Sequence, residues 1–360
     1  MEYIGLHIDD ETVRLVALEQ QQDSIVVRAM GGVEFPHGIV ESYRIIDPDA
    51  LVEYIRSSAV HSLPKPIILQ NLYSAVPQSK VRSHAFTFPS ELDEKAIRSA
   101  IAIQFSEYFP FEPDEAIIDW RRVQQSESTQ TIFVAACRKR YRDQLVDVAD
   151  RLDTSLAKLD IESACAARAI MPYDIGDAAS LLVHFGETVT SITVFDSRGM
   201  QYASSLYVGV ENIVNQIAVT QATDYTAAHE LMHEVNMNDS SVPTHQAAVS
   251  TLRSQIRPVI AEIERLMRLY KGTHFQKAEG VYLSGHLSVV HGIAGYMEEE
   301  LQIPVQLGDS LLHVVGGKDI IQQKGYMAPS RFDNAIGVAL GGIPGISYYP
   351  SFDLLDPKGL

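Results

Sequence analysis

A strand–turn–strand–turn–strand pattern occurs twice in this chain, and it restricts the fold more tightly than any other feature of the sequence. In the first copy, residues 3–8 read as a short strand, Asp9-Asp10-Glu11 as an acidic turn, and residues 12–19 as a second, alternating strand. Asp23-Ser24 then turns into a third strand at residues 25–30, which completes an antiparallel meander. In the second copy, residues 179–186 are a buried strand entering a turn and residues 189–195 the next strand. Asp196-Ser197-Arg198-Gly199 is a hairpin turn and residues 200–207 are the third strand. Laid side by side, Gly5-Leu6-His7-Ile8-Asp9-Asp10 resembles Leu182-Val183-His184-Phe185-Gly186-Glu187. One unit used twice at low identity predicts a duplicated α/β fold.

The remaining segments attach to these two units. A helix is predicted over residues 48–58, capped by Asp47, with Leu51, Val52 and Ile55 on one face. Residues 67–69 and 73–77 read as short strands. Residues 79–155 carry their own turns and their own apolar set, which predicts an inserted small α/β subdomain. Its strand at 81–88 leads to a helix capped by Pro89-Ser90 that presents Ile97, Ile101 and Phe105. Strands at 116–123 and 131–137 flank a polar turn at 124–130, and a helix over 139–152 carries Leu145, Val148 and Leu152. Helices dominate residues 211–274, with an amphipathic run at 259–270. A strand at 280–285 enters a small-residue turn, and a small-residue helix follows at 334–341. The expected division is a first half at 1–78, the insertion at 79–155, a second half at 156–329 with a helical part at 208–278, a returning helix at 330–342 and a tail at 343–360.

Composition narrows the function classes. The chain is 46% apolar and 21% charged, which excludes a disordered polymer, a collagen and a small disulfide scaffold. Its 29 basic and 46 acidic residues give a net charge of −17, a poor field for nucleic acid. The densest basic patch, Arg138-Lys139-Arg140 with Arg142, is diluted by Asp143, Asp147 and Asp150. Cys137 and Cys165 have no paired spacing and read as two buried thiols in a reducing compartment. The N-terminus lacks the pattern of a signal peptide, and no apolar run approaches the ~18 residues that read as a membrane span. The expectation is a soluble cytoplasmic protein.

Three constellations carry chemistry. His229-Glu230-Leu231-Met232-His233 matches the H-E-x-x-H pattern of zinc hydrolases, with two imidazoles on one helix face and a glutamate as base. A third ligand is missing: Asn236 stands where the longer pattern has glycine, and only the distant Glu262 offers itself. Two surface histidines on an amphipathic helix are the plainer reading. The mirrored turns could cradle phosphate through backbone N–H groups. Gly186-Glu187-Thr188 suits that use, but Asp9-Asp10-Glu11 would repel a polyphosphate. His7 and His184 end the two first strands, either facing one another across a metal or as satisfied cleft histidines.

The doubled pattern, the insertion and the late small-residue turn resemble the actin-like superfamily, and more narrowly the PilM family of type IV pilus assembly, relatives of FtsA. Residues 5–16 stand where that family reads G-L-D-I-G-x-x-x-V-K-x-V. Glu107-Tyr108-Phe109-Pro110-Phe111-Glu112 with Asp119 stands where it reads x-Y-I-P-F and an aspartate, and residues 181–190 where it reads L-V-D-I-G-A-x-x-T. Glu262-Ile263-Glu264-Arg265 with Tyr270 resembles E-I-x-R-S-x-x-x-Y, Leu283-Ser284-Gly285 replaces L-x-G-G, and residues 335–340 match A-I-G-L-A-L.

The departures from the family fall on its nucleotide motifs. His7 and His184 replace the two aspartates that organise magnesium and the attacking water, Asp9 replaces a loop glycine, and the glycine pair is reduced to Ser284-Gly285-His286. Magnesium prefers hard oxygen ligands, so the resemblance implies a degenerate nucleotide cleft of Gly5, His7, Asp9, Asp10, Gly186, Glu187, Thr188, Ser284 and Gly285. ATP hydrolysis is expected to be lost, with no catalytic residue, no resident metal and no cofactor. The family also implies a partner, the short cytoplasmic N-terminal peptide of a PilN-like membrane protein, carrying an N-L-L-P motif and docked beside the insertion. Tyr108, Phe109, Pro110 and Phe111 are the candidate groove residues. The tail's own Phe352, Leu354 and Leu355 resemble the motif and could fill the groove. The expected function is therefore a non-catalytic scaffold at the inner face of the cytoplasmic membrane, binding no nucleic acid, with homo-oligomers left open. The alternatives are an ATP-dependent switch like FtsA and, more remotely, a zinc hydrolase.

Overall fold

A computed structural model describes residues 1–173, 175, 178–238, 242–324, 329–346, 349 and 352–359. The acidic turn folds β1 (Glu2–Ile8) back on β2 (Thr12–Gln21), with Leu6 opposite Leu15 and His7 opposite Arg14. β3 (Ser24–Glu34) completes the meander. A two-stranded ribbon of β4 (Val40–Glu41) and β5 (Arg44–Ile45) leads to α1 (Pro48–Val60), where the Asp47 carboxylate accepts the Ala50 N–H at 3.0 Å. β6 (Leu72–Val76) then lies parallel to β1.

The insertion follows as β7 (Arg82–Pro89), α2 (Glu94–Tyr108), β8 (Ala116–Gln125), β9 (Thr129–Arg138) and α3 (Lys139–Arg151), with strand order β7-β9-β8. Strand alternation gives its sheet two apolar faces. Phe86, Ile118, Trp120 and Val134 pack with Ile97, Ile101 and Phe105 of α2. Ile117, Phe133, Ala135 and Cys137 instead join the main core.

β10 (Leu156–Ile161) pairs with β6 and completes a first sheet of order β3-β2-β1-β6-β10. α4 (Glu162–Ile170) is buried along its whole length. The second half repeats the plan: β11 (Ala179–Phe185), β12 (Thr190–Asp196) and β13 (Gly199–Leu206) form the meander. Then come α5 (Val210–Gln221), α6 (Tyr225–Glu234), the long α7 (Pro243–His274), β14 (Ala278–Gly285), α8 (Ile293–Leu301) and β15 (Val305–Leu307). The order β13-β12-β11-β14-β15 matches the first sheet strand for strand, parallel pairs included.

The chain then returns to the first half. Val315 pairs with the outer strand β3, accepting the Val27 N–H at 2.9 Å and donating to the Ile25 carbonyl at 2.8 Å. α9 (Lys318–Lys324) and α10 (Asp333–Leu340) follow. α10 lies directly on β1 and α4 because two glycines admit it. A Cβ on Gly5 would stand 1.9 Å from the Ala335 carbonyl oxygen, and one on Gly337 1.8 Å from that of Cys165. At this junction Arg168 pairs with Asp160 at 2.9 Å and donates to the carbonyls of Gly337 and Tyr349 at 2.7 and 3.1 Å. One apolar cluster, including Val16, Met30, Leu182, Phe195 and Ile336, spans both halves.

Several expectations are corrected. β10 and α4 belong to the first half's sheet and its packing, so that half extends past residue 155. Residues 67–69 form no strand: Pro64 and Pro66 before them offer no ladder donors. α2 is capped by Asp93, whose carboxylate accepts the Ala96 N–H at 2.8 Å, because β7 runs on through Pro89 and Ser90 bonds the Glu127 carbonyl. The turn between β8 and β9 shrinks to residues 126–128. Among the described residues from 343 onward, Ile343, Tyr349, Phe352 and Leu354 are buried.

Candidate functional site

The ends of β1 and β11 bring their histidines to equivalent places, each one residue before the strand's last. Neither imidazole is free. His7 Nε2 meets Glu162 Oε1 at 2.7 Å, and Asn334 of α10 donates to the same oxygen at 3.1 Å. The second Glu162 oxygen accepts the Gln78 N–H at 3.4 Å. Burial opposes the charged forms of both partners, yet their hydrogen bond and mutual attraction prevail, raising His7 and lowering Glu162. His184 Nδ1 meets the Ser284 hydroxyl at 2.9 Å, in register with it across β11 and β14. Ser284 and Ser310 in turn donate to the two oxygens of buried Asp333. Burial lowers His184 and pushes Asp333 up to about 7. Gln78, Glu162, Ser163, Leu182 and His184 pack together between these groups and leave no room for a water molecule.

The two turns face each other above these histidines. Asp10 accepts the Tyr43 N–H at 2.7 Å and the Thr188 hydroxyl at 3.4 Å, so it bridges the halves. Burial pushes Asp10 up to about 6. Asp9 turns inward to accept the Asp10 N–H at 2.9 Å. The N–H groups that open α5 are already used: Val210 donates to the Gly186 carbonyl at 3.2 Å and Glu211 to that of Glu187 at 3.0 Å. A cavity of about 200 Å³ remains, lined by Asp9, Glu11, Glu34 and Glu187 against Tyr225, His229, His286 and Arg331. His286 Nδ1 lies 3.0 Å from Glu187, and burial drives that imidazole down to about 4. Burial and the Glu211 charge raise Glu187; burial and Glu187 raise Glu11.

The candidate cleft residues thus come together, but two of the glycines serve packing. Gly5 lies beneath α10. Gly285 has φ +80° and would place a Cβ 2.2 Å from the Phe185 carbonyl, so the backbone of β14 needs it there. The histidines of the H-E-x-x-H match meet edge to face on α6 with ring centroids 4.7 Å apart, and burial lowers His233 to about 4. Glu262 pairs with Arg265 at 2.7 Å instead. Among the described residues, no group of three or more His, Cys, Asp or Glu side chains is arranged to hold a metal.

The aromatic run of the insertion divides. Phe109 is buried and stacks on Phe105, Tyr108 stacks on His84, and Phe111 lies under Arg138. Pro110 is exposed. The tail lies elsewhere, along β10 and β8. The Leu354 N–H bonds the Leu159 carbonyl at 2.7 Å, and Gly359 bonds that of Ile118 at 3.0 Å. Leu354 is fully buried, and Leu355 is half-buried. Glu162, Asn334, Asp333 and Ser310 are the site residues that sequence reasoning missed. Glu162 and Asp333 each stand in the first turn of a helix, a signal shared with ordinary helix starts.

Among the described residues, no helix is long and apolar enough to cross a membrane. No curated protein matches the sequence. A chain of a PilM–PilN type IV pilus biogenesis complex superposes with a TM-score of 0.76 at 18% identity, covering 94% of this chain and 98% of that one. Ethanolamine utilization protein EutJ from Carboxydothermus hydrogenoformans gives 0.57 at 15%, with 95% and 90% covered. MreB5 of Spiroplasma citri bound to AMPPNP gives 0.52 at 12%, with 90% and 96% covered. The duplicated sheets are an actin-like fold. The sequence matches the family described as type IV pilus assembly protein PilM over residues 5–343, and the chain belongs to that family.

Proposed function

We propose that this chain is a non-catalytic scaffold of a type IV pilus assembly machine, held at the cytoplasmic face of the inner membrane through a peptide of a PilN-like protein. The observation that carries the first part is the closed pairing of His7 with Glu162 and of His184 with Ser284 where the family holds aspartates. The residues present do not fit magnesium and ATP. Magnesium takes carboxylate and water oxygens, and these two positions offer imidazole nitrogens already bonded to protein. The neighbouring cavity of about 200 Å³ is smaller than the roughly 300–1,000 Å³ of ordinary ligand sites, and four carboxylates line it. The peptide reading rests on family membership and on the likeness to the PilM–PilN complex.

A melting curve with millimolar ATP and magnesium tests the loss of nucleotide binding. Ligand at 100 times its Kd would stabilise the fold by about 2.7 kcal/mol, a clear upward shift. The expected result is none. An upward shift that needs both ATP and magnesium would overturn the non-catalytic reading in favour of a nucleotide switch.

A further inference from the structure

The C-terminal segment shows what the groove beside the insertion is built to hold. β10 is the outer strand of the first sheet and β8 the outer strand of the insertion's sheet, and residues 352–359 run between these two edges. Outer strands present unpaired backbone groups that an added strand can satisfy. The segment engages them mainly through its own backbone. Leu354 N–H bonds Leu159 O at 2.7 Å on one edge, and Gly359 N–H bonds Ile118 O at 3.0 Å on the other. Buried Asp119 accepts the N–H groups of Asp353 and Lys358 at 3.0 and 3.3 Å, and Asp160 accepts that of Phe352 at 2.9 Å. Two side chains anchor it. Phe352 sits between the Phe133 ring and the Arg121 guanidinium, and Leu354, two residues on, is wholly buried.

Such recognition reads backbone N–H groups and two apolar side chains of matching spacing; at the far end the Lys358 ammonium lies over the Trp120 ring and the Trp120 indole N–H donates to the Gly359 carbonyl at 3.3 Å. Asp356 and Lys358 are exposed.

We propose that residues 352–359 are a resident, displaceable occupant of the groove between β10 and β8, competing there with an extended peptide whose apolar side chains lie two residues apart. The proposal rests on the peptide-scaffold reading and adds a regulation of that same site. It makes the chain self-masked, because a tethered segment acts at an effective concentration of order millimolar. It also sets a chemical rule: the incoming peptide needs free N–H groups at the positions matching Phe352, Asp353 and Leu354, so proline there is excluded, whereas Pro357 donates nothing.

The test uses the full-length chain, unaltered and as the double variant F352A/L354A, with two labelled peptides. One is this chain's own Phe-Asp-Leu-Leu-Asp-Pro-Lys-Gly; the other carries Asn-Leu-Leu-Pro preceded by a leucine, so that leucines two residues apart match Phe352 and Leu354. The variant is expected to bind the first peptide, and to bind the second at least tenfold more tightly than the unaltered chain does, each displacing the other. Failure of the first peptide to bind the folded variant overturns the proposal. Equal binding of the second peptide by both chains, without competition, also overturns it and leaves the scaffold reading standing. Binding of the first peptide with none of the second supports the groove and overturns the PilN-like partner. Should the variant not fold, amide hydrogen exchange in the unaltered chain decides. Saturation with the Asn-Leu-Leu-Pro peptide should speed exchange at Asp353 and Leu354 at least tenfold, and unchanged protection overturns the proposal.

Discussion

Asp333 is the residue on which the cleft's electrostatics can be tested most directly. It is buried beneath Ser284 and Ser310, and burial pushes its carboxyl up to about 7 in spite of those hydrogen bonds. In the unfolded chain an aspartate ionises near 3.9. Between these values the folded chain keeps a proton that the unfolded chain has released, so this group's contribution to stability falls as pH rises from about 4 to about 7. Asp333→Asn cannot ionise and escapes that loss. The unaltered chain should therefore lose a few kcal/mol relative to the variant between about pH 5 and pH 8, several degrees of melting temperature. A gap that stays constant over that range would show that Asp333 is ionised throughout. Burial depresses His184, His233 and His286 and makes the absolute profile slope the other way below their unfolded values, but those groups are common to both chains. At this scale the sequence discloses half of the site. His7 and His184 are conspicuous because the repeat aligns them. Their partners Glu162 and Ser284 are less so, since a bond from residue 7 to residue 162 is made by β10 and α4 packing behind β1, and no local pattern encodes that.

Elements differ in legibility for a similar reason. The two meanders, α1 with its Asp47 cap and the insertion's alternating strands all follow from local period and turn chemistry. β10 and α4 do not. β10 is a short parallel edge strand, and α4 buries its polar Glu162, Ser163 and Arg168 along with its apolar residues, so its polar positions mark no solvent face. What fixes α10 is steric rather than periodic: its backbone rests on β1 only because Gly5 has no side chain. Gly5→Ala forces that contact and should cost about 1–3 kcal/mol or more through displacement of α10. Gly272, inside α7, has open space where a Cβ would stand, with nothing within 4 Å. Gly272→Ala should raise stability by roughly 0.5–1 kcal/mol, the helix-propensity difference alone. Paired denaturant titrations check both. A Gly5→Ala chain as stable as the parent would mean that the helix does not bear on β1.

Across the whole molecule, one core and several straps decide how the parts move together. The apolar cluster that contains Val16 of the first half and Leu182 of the second also contains Phe133 of the insertion and Phe352 of the tail. The insertion therefore keeps one face for its own core and lends the other to the rest of the chain. Trp120 is the sole tryptophan of the sequence and sits in the insertion's own core. Its fluorescence reports that subdomain, while far-UV circular dichroism reports the whole fold. Because Phe133 fastens the insertion's sheet into the main core, where it meets Phe352, both signals should follow a single thermal transition. Phe352→Ala removes an aromatic ring from that joint, a truncation that typically costs about 3–5 kcal/mol, and weakens the strap along β10 and β8. The fluorescence transition should then move several degrees below the dichroism transition, since the insertion retains its own core but loses part of its anchorage. Coincident curves in the variant would mean that the insertion is held by β8, β9 and α3 alone. The tail would then be a ligand of the groove without being a fastener of the fold, and the peptide competition would become the sharper probe of what residues 352–359 do.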